Sequence, residues 1–121
     1  MSLSILAIDD SRTMRDMLKF ALSDAGFDVT LAEDGQKGLD ALDGYTPDVI
    51  ITDINMPVMD GFGLIEGVRK MDALRAVPIL VLTTESSQEL KQRARAAGAT
   101  GWIVKPFDKV KLVNAIHKVA A

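Results

Sequence analysis

The sequence predicts an α/β fold of the (βα)5 kind: a doubly wound, parallel, five-stranded sheet with helices on both faces. Three observations carry this prediction. Five short apolar runs, at 4–8, 27–32, 48–52, 79–82 and 101–104, are strand-sized and rich in β-branched residues. Each is followed by a stretch whose apolar residues recur at helical spacing. No linker, low-complexity tract or repeat interrupts the alternation, and strands that alternate with helices pair in parallel through right-handed crossovers.

The first run, Ser4 to Ile8, ends in Asp9-Asp10, and Asp10 or Ser11 can cap the helix whose stripe is Met14, Met17, Leu18, Ala21, Leu22 and Ala25. Gly26 stops that helix, and Phe27 to Ala32 forms the second strand. Asp34-Gly35 opens a helix with Leu39, Ala41 and Leu42 that ends at Gly44. After Thr46-Pro47, the third strand, Asp48 to Thr52, is apolar enough to be covered on both faces. Asp53, Asn55 and Pro57 cannot continue a central strand, so Asp53 is held at its end. Asp60 caps a helix carrying Phe62, Ile65, Val68 and Met71. Pro78 opens the fourth strand, which ends in Thr83-Thr84. Ser86-x-x-Glu89 has the spacing of a capping box, which predicts a start at Ser86 for a weakly anchored helix with only Leu90, Ala94 and Ala97 to bury before Gly98. Gly101 to Val104 is the fifth strand, broken by Lys105-Pro106, and Asp108 caps a last helix with the stripe Leu112, Val113, Ile116 and Val119.

A chain of 121 residues with 48% hydrophobic content can close one core without staples, so one domain over residues 1–121, with no output domain, is expected. There is no cysteine, which removes disulfides and thiolate metal sites from consideration. The N-terminal run is too short and too quickly acidic for a signal peptide or a membrane span, and a cytoplasmic protein is expected. Charge is unevenly spread: residues 1–87 hold 7 basic and 15 acidic side chains, residues 88–121 hold 7 and 2. A positive excess in the last third suits a partner surface, although helix exteriors also carry charge simply for solvation.

In open sheets of this class ligands sit beyond the carboxyl ends of the strands, where strand order reverses. Asp9, Asp10, Asp53, Thr83 and Lys105 each follow an apolar strand, so they should converge on one rim. Singly, each has an ordinary structural use as a cap, strand terminator, loop hydroxyl or surface lysine. Together, three carboxylates on one rim repel one another and call for a cation. Mg²⁺ is the natural candidate, because it takes oxygen ligands from one or two carboxylates plus water and a phosphate oxygen. Neither G-x-x-x-x-G-K-[ST] nor G-x-G-x-x-G follows the first strand, so no nucleotide cradle is offered. A carboxylate ionised at neutral pH can itself attack phosphorus, leaving positioning and charge neutralisation to Lys105, Thr83 and the metal. His117, on the last helix, reads as a surface histidine away from this rim, not as a phosphodonor.

With these residues laid out, the chain resembles the receiver domain of bacterial two-component response regulators, and within it the single-domain chemotaxis (CheY-type) class. The matching pieces are Asp9-Asp10, D-I-N-M-P-x-M-D-G from Asp53 to Gly61, Thr83, and K-P-F from Lys105 to Phe107. The resemblance implies a flavodoxin-like sheet of strand order 2-1-3-4-5, an order that belongs to the family and not to the parse above. It implies Asp53 as the phosphoacceptor, served by a CheA-type histidine kinase. It further implies Asp10, Asp53 and the backbone carbonyl of Asn55 as Mg²⁺ ligands with Asp9 acting through water, and Lys105 as the phosphate partner before a cis Pro106. Thr83 and Trp102 are implied as the switch pair, and Asn55 and Glu85 as positions that tune loss of the phosphoryl group. The implied output is binding of the flagellar motor switch protein through the fourth helix, fifth strand and fifth helix, by a monomer with no nucleic acid or membrane partner. Two departures stand out: Trp102 is a larger ring than the Tyr common there, and Ile54 replaces a Trp beside the phosphoacceptor. The same residues leave room for a phosphate sink or relay intermediate that never meets the motor. A Mg²⁺-dependent phosphohydrolase fits less well, since Asn55 is no second acid and no cap-sized insertion exists.

Overall fold

The computed structural model describes residues 2–121. Its elements are β1 (Ser4–Ile8), α1 (Arg12–Asp24), β2 (Asp28–Ala32), α2 (Gly35–Ala41), β3 (Val49–Thr52), α3 (Gly61–Arg69), a 3₁₀ turn (Asp72–Leu74), β4 (Ile79–Thr83), α4 (Gln88–Ala97), β5 (Gly101–Val104) and α5 (Lys109–Ala120). The strands form one parallel sheet in the order β2-β1-β3-β4-β5, as the resemblance implied.

Side chains alternate across a strand, and here both faces are apolar, so two cores form. Leu6, Ile8, Ile50, Ile79 and Val81 pack one face against Leu42, Phe62, Ile65, Val68 and Ala94, covering it with α2, α3 and α4. Ile5, Ala7, Val49, Ile51, Leu80 and Leu82 pack the other against Leu18, Leu22, Leu112 and Ile116 from α1 and α5. Each fully buried Ile or Leu contributes on the order of 1.5–3 kcal/mol, so this double cover holds the strand ends, and whatever follows them, in fixed register.

Every helix begins on a residue whose side chain accepts from the third backbone N–H beyond it: Ser11, Asp34, Asp60, Ser87 and Asp108. The start expected at Ser86 is therefore corrected to Ser87, whose Oγ accepts from Leu90 N, while Glu89 lies inside the first turn. Met71, expected on the α3 stripe, lies past the end of α3 at the head of the 3₁₀ turn, though it still packs on the core. The second helix ends at Ala41, with Leu42 as its C-cap, before the Gly44 expected to end it. The third strand begins at Val49, one residue after Asp48, which is tied to Ser4 twice: its N–H donates to Ser4 O and its carboxylate accepts from Ser4 N, both at 2.7 Å. The Lys105-Pro106 bond is cis, as the resemblance implied.

Candidate functional site

Register builds the site. Ile8 pairs with Thr52 where β1 separates β2 from β3, so the residues that follow them, Asp9 and Asp53, emerge side by side at the reversal of strand order. Asp53 N donates to Ile8 O at 3.0 Å and fixes that exit. On the other side Thr83 pairs with Val104, and Lys105 N donates to Thr83 O at 2.8 Å, which delivers the lysine to the same rim.

The lysine ammonium lies between the two buried carboxylates, 2.7 Å from Asp9 Oδ2 and 2.8 Å from Asp53 Oδ2. Each carboxylate gives its other oxygen to a backbone N–H: Asp9 Oδ1 accepts from Ser11 at 2.9 Å and Asp53 Oδ1 from Ile54 at 2.6 Å. Asp10 is exposed but joins them, with one oxygen from each of the three carboxylates within 4.8 Å of the others. One ammonium against three carboxylates leaves the cluster net negative, and its donors are all oxygen. That set fits a hard divalent cation such as Mg²⁺.

Burial alone would pull the Lys105 ammonium below its ordinary pKa, but hydrogen bonds and charge from Asp53 and Asp9 more than offset it, and the net shift is upward. A raised folded-state pKa contributes stability that is fully present below the unfolded value of about 10.4 and is lost as pH rises through the higher folded value. In metal-free urea unfolding, the stability gap between the wild type and Lys105→Met should therefore hold steady up to pH ~10 and shrink above it. A gap that widened in that range would contradict the pairing.

Thr83 reaches the rim but does not join the lysine cluster. It is fully buried, and its hydroxyl accepts from Glu85 N at 3.4 Å. Glu85 is the meeting point of this side. Its carboxylate accepts from Asn55 Nδ2 at 3.1 Å across the mouth of the site, and its carbonyl accepts from the Trp102 indole N–H at 2.9 Å. Trp102 thus touches the Thr83 loop through the backbone of Glu85, and its ring lies half-buried against the α3–α4 core. His117 is exposed and stacks obliquely on Phe27, ring centroids 5.3 Å apart, in agreement with the expectation for it.

Two further contributors escaped sequence reading. Thr52, fully buried, donates its hydroxyl to the Asp53 carbonyl at 2.8 Å, and Arg15 donates to the Asp9 carbonyl at 2.8 Å. A threonine closing an otherwise aliphatic strand was a visible signal for the first. Nothing in the spacing marks the second.

A profile of the response regulator receiver domain matches residues 5–117. Chemotaxis protein CheY-3 of Vibrio cholerae is 38% identical over 119 residues, covering 98% of this chain and 92% of that protein. The solved structure of the V. cholerae chemotaxis protein CheY4 superposes with a TM-score of 0.94 at 44% identity, covering 98% of this chain and 99% of the other. The receiver domain of a sensor histidine kinase from Pseudomonas aeruginosa PAO1, solved with a magnesium ion coordinated in its active site cleft, gives a TM-score of 0.92 at 26% identity, covering 99% of this chain and 98% of the other. Among the described residues no helix is long and apolar enough to cross a membrane. Sequence, strand order and the carboxylate–lysine rim agree, and the chain belongs to the response regulator receiver domain family.

Proposed function

We propose that this chain is a cytoplasmic, phosphorylation-activated signalling module in which Asp53 takes a phosphoryl group from a CheA-type histidine kinase, and the altered surface then binds the flagellar motor switch. The observation that supports it most is the Lys105 ammonium held between Asp9 and Asp53 beside the exposed Asp10. In this reading an Asp53 Oδ attacks phosphorus and forms the O–P bond. The P–N bond of the phosphohistidine breaks, its electron pair goes to the imidazole nitrogen, and that nitrogen takes a proton from solvent. Asp9, Asp10, Asp53 and the Asn55 carbonyl would hold Mg²⁺, which when bound supplies positive charge against the phosphoryl oxygens. Lys105 moves its charge from the carboxylates to the incoming phosphoryl oxygens, and Thr83 exchanges its bond with Glu85 N for one to the phosphoryl group. Hydrolysis reverses the state: water attacks phosphorus, the Asp53 O–P bond breaks, and the carboxylate returns.

Thr83 and Glu85 connect this event to the surface. Once the Thr83 hydroxyl turns to the phosphoryl group, the β4–α4 loop loses its bond from Glu85 N, and the Trp102 bond to Glu85 O shifts with it. Beside β5 lie a cavity of about 210 Å³ lined by Lys91, Arg95 and Trp102, and one of about 400 Å³ lined by Val104, Phe107 and Lys111. Trp102, Val104 and Phe107 supply the apolar part of this target surface, with Lys91, Arg95 and Lys111 at its edges beside a single carboxylate, Asp108.

The test is uptake from acetyl phosphate or phosphoramidate with Mg²⁺, read by intact mass and mapped to a residue. One phosphoryl group at Asp53 is expected; none, or uptake elsewhere, defeats the reading. Reversing charge at Lys91, Arg95 and Lys111 together is expected to weaken binding of the phosphorylated form to the motor switch protein by about tenfold or more, with uptake unchanged. Unchanged binding rules out that face, and absence of wild-type binding favours a phosphate sink.

A further inference from the structure

Helix α4 is poorly held by apolar contacts. Ala94 is its only buried residue, and the 210 Å³ cavity runs along its side toward β5. Leu90 and Ala97 pack partly buried against the core beside it, and cationic contacts with α3 add to this shallow face. Arg93 lies over the Phe62 ring of α3, its guanidinium carbon 3.9 Å from the ring centre. At the C-terminal end the grip is much stronger, and it comes from Arg69 on α3.

The Arg69 guanidinium makes five hydrogen bonds, all to backbone carbonyls. Nε and Nη2 donate to Gly98 O at 3.0 and 2.8 Å, while Nη1 donates to Leu74 O, Arg75 O and Val77 O at 2.9, 3.1 and 2.7 Å. No carboxylate pairs with it among the described residues. Its counter-charge is the negative end of α4 together with the converging carbonyls of the turn that leads into β4. Gly98, at φ +119°, closes α4 with a Schellman pair, Gly98 N to Arg95 O at 3.0 Å and Ala99 N to Ala94 O at 2.9 Å. A Cβ at Gly98 would lie 2.7 Å from Arg69 Cγ and 2.8 Å from Nε, so the cap and the arginine are built against each other.

The opposite end of α4 has no such polar clasp, only the partly buried Leu90 packed on the core. Ser86 to Glu89 are exposed, and their link to the sheet is the Glu85 loop already bound to Thr83 and Trp102.

We infer that Arg69 is a positioning residue that pins the last turn of α4, so that the Asp53 signal swings the first turns of α4 about Gly98 instead of displacing the whole helix. The inference rests on the function proposed above. It assigns a task to a residue at the far end of α3 from the chemistry: Arg69 converts a loop movement at Glu85 into a change of tilt, widening or narrowing the α4–β5 cavity while its floor at Thr100 and Gly101 stays in place.

The test is residue-resolved hydrogen exchange on the full chain, with and without Mg²⁺ and beryllofluoride as the aspartyl-phosphate mimic. In the wild type the mimic is expected to change exchange at residues 86–92 and leave 94–99 unchanged. In Arg69→Gln, exchange at 94–99 should rise about tenfold without the mimic, and the mimic's effect should spread along the whole helix, while its affinity stays within about threefold. Arg69→Lys keeps the charge but not the fork, and should resemble Arg69→Gln more than the wild type. A wild-type last turn that responds as strongly as the first, or an Arg69→Gln effect spread evenly over α1 and α5, would overturn the pivot. Failure of the wild type to bind beryllofluoride would defeat the functional reading instead, and the clasp would then be judged from the exchange without the mimic.

Discussion

Asp53→Asn is expected to take up no phosphoryl group from any donor while costing the fold no more than about 1 kcal/mol. Loss of function follows from chemistry: a carboxamide has no anionic oxygen to attack phosphorus and supplies one fewer charge to a bound cation. The small effect on stability follows from opposing local terms. An amide in place of Asp53 keeps one oxygen for the Ile54 N–H but turns its NH₂ toward the Lys105 ammonium, a donor facing a donor. Against this, the cluster of Asp9, Asp10 and Asp53 loses one of three mutually repelling charges, and Lys105 keeps Asp9 at 2.7 Å. Urea unfolding and phosphoryl uptake measured on the same preparation separate the two effects. Uptake at the wild-type level would remove Asp53 from its assigned role, and a loss of several kcal/mol would mean that Lys105 depends on Asp53 far more than on Asp9.

Much of this site was readable before any coordinates. Once strands alternate with helices, a parallel sheet puts every strand's carboxyl end on one side, and Asp9, Asp53, Thr83 and Lys105 must share it. The (βα)5 reading needed only periodicity, because β3 and β4 are aliphatic up to a closing threonine, buried at every position, and sit under helices on both faces. Pairings fixed by tertiary register were not readable. Lys105 meets Asp9 across 96 residues of chain and Asp53 across 52, and sequence spacing carries no information about which of two neighbouring carboxylates a lysine will choose. It takes both. The Arg69 clasp was invisible for a different reason: its partners are carbonyls, which every residue has, so no side-chain type marks them. The start of α4 shifted by one residue because Ser86 and Ser87 are both competent caps, and only the path of the preceding loop decides between them. The resemblance implies a tuning role for Glu85, and its backbone is in addition the contact shared by Thr83 and Trp102.

Gly61→Ala is expected to destabilise the fold by about 3 kcal/mol and to weaken phosphoryl uptake, although residue 61 contributes no side chain to the site. Gly61 is the first residue of α3, and its N–H donates to Ile54 O at 2.9 Å, folding the chain back onto the end of β3. A Cβ there would lie 2.2 Å from the Asp53 carbonyl oxygen and 2.8 Å from Ile54 Cα. Both are backbone atoms, so no rotamer change relieves the contact. Either α3 lifts from the sheet, at the expense of Phe62, Leu64 and Ile65 packing, or β3 yields at its last residues and carries Asp53 away from Lys105. The first path shows as lost stability with uptake preserved, the second as lost uptake. The Asp53 carbonyl is also held by the Thr52 hydroxyl at 2.8 Å, which stiffens β3 and favours movement of the helix. Stability should therefore fall by more than uptake does when both are expressed as free energies. An alanine variant with wild-type stability would show that the close approach of α3 to β3 does not fix the position of Asp53.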